Sequence, residues 1–117
     1  MNRFLALCAA ALLAAALAGC SSVTGGPLVR PGEPTGVLVV HNNTWGNLDA
    51  VLISDCSAMS YGFNRLSDGA YIAPGGQVSF TLSAGCWDVG AGEWGGGEAY
   101  QRLTIVPGGV VHLTIDE

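Results

Sequence analysis

Gln77-Val78-Ser79-Phe80-Thr81-Leu82 alternates polar and apolar residues without a break. Successive side chains of a strand point to opposite faces, so Val78, Phe80 and Leu82 are predicted to face a core. Pro74-Gly75-Gly76 precedes this run and Ser83-Ala84-Gly85 closes it. Proline fixes one φ and glycine permits positive φ, so both boundaries read as turns. The same pattern spreads in both directions. Trp87, Val89 and Ala91 share a side after Cys86. Glu98 to Val106 reads as a strand, then Pro107-Gly108-Gly109 turns the chain. Val111, Leu113 and Ile115 alternate with His112 and Thr114, and Leu103 and Ile105 are expected in their layer.

Upstream, Val37 to Asn42 is a strand with four consecutive apolar residues, which implies either cover on much of both faces or an edge whose second face meets a loop. Asp49 to Ser54 is a second, and Ala70 to Ala73 reads as a short one. Tyr61, Phe63 and Leu66 lie in a less regular segment. The expected fold is all-β: a small antiparallel β-sandwich or partly closed barrel of about six or seven strands, because two layers bury alternating faces that a lone sheet leaves wet. The two proline-glycine-glycine runs, at Pro74 and Pro107, are too few for a repeat array and read as hairpin-type turns.

The first 36 residues differ in kind. Arg3 precedes the apolar run Phe4 to Ala18. As a helix the run spans roughly 22 Å, short of a hydrocarbon core of about 30 Å. It therefore reads as an export signal, residues 1–19. Ser21 to Gly36 holds seven of the chain's glycines and prolines without any period, and reads as a spacer. The domain organisation is thus a signal at 1–19, a lipidated N-terminus and tether at 20–36, and a β-sandwich at 37–117.

Leu17-Ala18-Gly19-Cys20 resembles the lipobox of bacterial lipoproteins. Small residues suit the peptidase cleft, and the thiol accepts diacylglycerol. The resemblance implies lipidation of Cys20, cleavage after Gly19 and acylation of the new amine, palmitate among the chains. Ser21 in place of aspartate implies an outer-membrane address where a cell has two membranes. The stretch from Asn42 to Val106 also resembles small secreted β-sandwich domains of bacterial proteins without an assigned activity. It shares their asparagine-rich strand exit, proline-glycine turn and later glycine-aromatic or cysteine-aspartate segment, and the resemblance implies no particular chemistry.

Four cysteines divide by position. Cys8 leaves with the signal and Cys20 carries lipid. Cys56 and Cys86 remain, and an oxidising exported location favours a disulfide between them over two buried thiols. Their spacing is not CxxC, which argues against redox exchange.

The chain of 117 residues carries a formal charge of -5 and no lysine, which excludes a nucleic-acid footprint and a phosphate loop. No GxSxG or HExxH occurs, so no enzyme, cofactor or metal is expected. Glu93 and Glu98 flank a glycine-rich connection without further catalytic context. His41 and His112 both fall in predicted strands and could meet across them, but sequence spacing does not place them together. Asp55 and Asp88 are the nearest to calcium ligands among scattered carboxylates. Trp94, between glycines, is the candidate partner contact, while Trp87 reads as core. Two functions follow: a lipid-anchored envelope protein with a structural or protein-binding role, or a carbohydrate- or calcium-binding surface module. An aromatic platform would favour the second, and a closed, bland sandwich the first.

Overall fold

In the computed structural model, residues 25–93 and 97–117 are described. They form six strands: β1 (Thr35–Asn43), β2 (Ala50–Asp55), β3 (Gln77–Ser83), β4 (Gly85–Gly92), β5 (Glu98–Ile105) and β6 (Val110–Asp116). Two three-stranded sheets result, in the orders β3-β1-β6 and β2-β4-β5. This is the all-β sandwich that the alternation predicts.

The inner faces are those expected. Leu82 is buried, and Val78 and Phe80 pack against the core beside it. Trp87, Val89 and Ala91 of β4 meet Leu38 and Val40 of β1, with Leu103, Ile105, Leu113 and Ile115 completing the cluster. Full burial of one such side chain contributes about 1.5–3 kcal/mol. Trp87 keeps its indole N–H satisfied by donating to the Ser83 carbonyl at 2.8 Å, and the Arg30 guanidinium lies 5.0 Å from the centre of its ring.

One pairing departs from a purely antiparallel sandwich. β1 runs antiparallel to β3 but parallel to β6. Parallel neighbours need a long connection, and here the chain between them runs through β2, β3, β4 and β5. β1 is therefore the central strand of its sheet, which explains its apolar run: Leu38, Val39 and Val40 are all buried. Ala70 to Ala73 forms no strand; Ile72 makes only an isolated bridge to Leu48.

The two proline-glycine-glycine runs make the same turn. Gly75 and Gly108 have φ of 79° and 69°, and the following glycine donates back to Ala73 or Val106 across each turn. Proline then positive-φ glycine is the type II pattern. Neither turn simply closes a hairpin. They grip opposite ends of β1: Gly75 donates to the Asn42 carbonyl and Asn42 to Gly76, while Gly108 donates to Thr35 and Val37 to Gly109. The turn at Pro107 carries the chain from one sheet to the other.

Asn42 completes that grip. Its side chain is buried, and its amide donates to the carbonyls of Gly46 and Ile72, both at 2.8 Å. Its Oδ1 accepts from the Thr44 amide and hydroxyl at 2.9 and 2.7 Å. One asparagine thus joins β1, the 44–48 loop and the segment before β3.

Residues 25–34, part of the expected tether, lie against the domain. Asp55 donates to the Gly25 carbonyl, Ser83 to Leu28 and Ala84 to Pro34. Arg65 adds a bond to the Gly26 carbonyl at 2.7 Å.

Candidate functional site

The outer face of sheet β2-β4-β5 carries an open groove, and its shape follows from residue size. The β4–β5 register sets Gly90 opposite Tyr100 and Gly92 opposite Glu98. Both glycines point to the outer face, where the Tyr100 and Glu98 side chains lie against their bare backbone. The Tyr100 ring lies directly over Gly90, so a Cβ there would collide with the ring. Ala50 and Leu52 continue the floor, and a cavity of about 730 Å³ opens between β5 and the segment around Phe63.

That segment is held by three fastenings. Cys56 and Cys86 form a disulfide, with Cα atoms 5.6 Å apart. Asn64 bridges to Leu52, and its side chain accepts from the Val51 amide and donates to the Asp49 carbonyl. Tyr61 packs on Tyr100 with ring centres 4.5 Å apart and planes tilted by 50°. The result is an aromatic wall: Tyr61, Phe63 and Tyr100 are 37%, 65% and 45% exposed.

The polar rim is acidic. Glu93 and Glu98 line the groove. Glu98 accepts from the Tyr100 hydroxyl at 2.8 Å, and this bond pushes the phenol above its ordinary pKa. The Glu93 carboxylate lies against the bare Cα of Gly46, leaving no room for a Cβ. The arginines among the described residues are committed elsewhere. Arg102 makes paired bonds to Asp88 at 2.9 and 3.1 Å. Arg30 pairs with Glu33 and Asp55, and Arg65, lowered in pKa by its burial, donates to the Ile53 and Gly26 carbonyls.

The expected site residues fare differently. The Cys56–Cys86 link is present. Trp87 is core, fully buried. Cys20 and Trp94 lie outside the described residues. Asp55 and Asp88 are held below the usual carboxylate range, Asp55 by bonds from Ser57 and by Arg30, Asp88 chiefly by its bonds from Arg102. Among the described residues, no group of three or more His, Cys, Asp or Glu side chains is arranged to hold a metal. The groove escaped the sequence reading because its defining residues are glycines. The clue was their spacing: Gly90 and Gly92 stand two apart, on one face of a strand. No family model and no curated protein matches this chain.

Proposed function

We propose that this is a lipid-anchored protein of the cell envelope, held through Cys20, whose β domain binds a carbohydrate chain without cleaving it. The export signal and lipobox support the anchor, and the serine after Cys20 supports an outer-membrane address where two membranes exist. One observation carries the ligand: Phe63 and Tyr100 stand exposed along a groove rimmed by Glu93 and Glu98, with Tyr61 packed on Tyr100. Aromatic faces stack on the C–H faces of a pyranose ring. Carboxylates accept hydrogen bonds from its hydroxyls. The cavity size lies in the range of small-molecule sites.

The test is titration of soluble gluco- and amino-sugar oligosaccharides into the full chain by calorimetry. Tyr100→Ala and Phe63→Ala are each expected to weaken binding about tenfold or more, equivalent to about 1.4 kcal/mol. Equal affinity in wild type and both variants would refute the groove. Release of reducing ends, abolished by Glu98→Gln, would refute the non-enzymatic reading. Mass spectrometry of the mature protein tests the anchor, and an unmodified Cys20 would refute it. A second reading, a protein partner, draws on Trp45 and Met59, both about nine-tenths exposed. Recovery of one envelope protein by crosslinking, with no glycan binding, would reverse the ranking.

A further inference from the structure

Both histidines of the chain stand on the other sheet, on its outer face. His41 is on β1 and His112 on the edge strand β6. The parallel register sets Val39 opposite His112 and Thr114 opposite His41, so the imidazoles are diagonal neighbours across adjacent strands. Nε2 of His41 lies 2.9 Å from Nδ1 of His112. Their ring centres are 5.1 Å apart, with planes 29° from parallel. Two neutral imidazoles at this distance share one proton, one nitrogen donating and the other accepting.

We infer that His41 and His112 form a two-nitrogen site for a divalent transition-metal cation, Cu²⁺ or Ni²⁺ before Zn²⁺. The separation selects the geometry. Two nitrogens at about 2.0–2.1 Å from a metal, at right angles, are about 2.8–3.0 Å apart; tetrahedral angles require about 3.3 Å. The observed 2.9 Å matches neighbouring positions of a tetragonal centre. Turning both rings so that their lone pairs converge beside the N···N line lets the cation take the place of the shared proton.

That proton has a place to go. In the neutral pair it moves, through solvent, to the free nitrogen of its own ring, so each imidazole binds the cation uncharged. A protonated imidazole releases its proton instead, and acid therefore opposes binding. The electrostatics favour a cation. The chain has no lysine and is acidic overall, and the guanidinium groups of Arg30, Arg65 and Arg102 pair with Glu33, Asp55, Asp88 and the Ile53 and Gly26 carbonyls, none of them on β1 or β6. Asp116, further along β6, accepts from Asn43 at 2.6 Å and adds negative charge to the same face. Water fills the remaining coordination positions, so the cation is exchangeable and open to an outside ligand.

The test is Cu²⁺ titration of the full chain, read by electron paramagnetic resonance and by thermal melting. One Cu²⁺ per chain is expected, with coupling to two equatorial imidazole nitrogens and a rise in Tm. His41→Gln and His112→Gln each leave a single coupled nitrogen and weaken binding at least tenfold; the double variant loses the site. Metal-free melting of the variants checks that they fold, since both side chains are on the surface. Unchanged copper affinity in the double variant, or a spectrum without imidazole coupling, overturns the proposal. Failure to bind micromolar Cu²⁺ does the same, and leaves the pair as a hydrogen bond between strands.

Discussion

Replacing Asn42 by alanine removes four hydrogen bonds at one buried position. The amide gives up Gly46 and Ile72, and Oδ1 gives up the Thr44 amide and hydroxyl. The losses are unequal. The Ile72 carbonyl keeps its bond from the Leu48 amide, and the Gly46 carbonyl keeps the Thr44 hydroxyl at 3.0 Å. Only the Thr44 amide is left without its acceptor. An orphaned donor costs about 1–3 kcal/mol, and each bond whose partner is otherwise satisfied contributes about 0.5–1.5 kcal/mol net. These terms share one side chain and do not add fully. A destabilisation of about 2–4 kcal/mol is expected, which for a domain of this size lowers Tm by roughly 8–30 °C. Tryptophan fluorescence follows the melt, because Trp87 is buried in the core. Thr44→Val is the control: it removes one hydroxyl but keeps the amide bond to Oδ1, and is expected to cost less than half as much. A drop below about 3 °C for Asn42→Ala would mean that the junction of β1, the 44–48 loop and Ile72 is held by apolar packing instead.

Other expectations are as direct. Cys56→Ser with Cys86→Ser opens a loop of 30 residues' separation and is expected to cost about 3–4 kcal/mol in chain entropy. It also frees the segment bearing Tyr61 and Phe63, so chemical denaturation and oligosaccharide binding are expected to weaken together. Gly90→Ala forces the Tyr100 ring off the groove floor and is expected to abolish glycan binding, with calorimetry reading affinity and circular dichroism showing an intact sheet. Asp55 and Asp88 titrate below the usual carboxylate value in the folded chain. The stability they add is full above the unfolded value of about 3.9 and is lost as pH falls through their lower folded values. Denaturation midpoints are thus expected to fall below about pH 4, and less steeply in Asp88→Asn.

The strands were legible because their cause is local. Val78, Phe80 and Leu82, or Leu113 and Ile115, declare an inner face by period alone, and each lies where that period put it. Pairing is not local. Nothing between Val37 and Asp116 announces that the first strand lies parallel to the last, and so nothing announced that His41 meets His112. Asn42 looked like turn chemistry, as asparagines at strand ends do. Its four bonds depend on where Gly46 and Ile72 arrive. The groove was hidden for a different reason: it is made by missing side chains at Gly90 and Gly92, and becomes visible only when Tyr100 and Glu98 are set across from them.

The run of chain lying against the domain from residue 25 also sets a distance. A spacer from Ser21 to Gly36, fully extended, would let the sandwich roam about 55 Å from its attachment point. With Gly25 bonded at Asp55 and Leu28 at Ser83, only Ser21 to Thr24 separate Cys20 from the domain, a reach of at most about 18 Å. A lipid on Cys20 would then seat the sandwich close against the headgroups, with the Asp55 end of β2 toward the bilayer. β2 runs from that end to Ala50, which pairs with Gly92 at the groove. The glutamate rim would stand at the far end of the molecule, turned away from the membrane and toward whatever polymer lies beyond it.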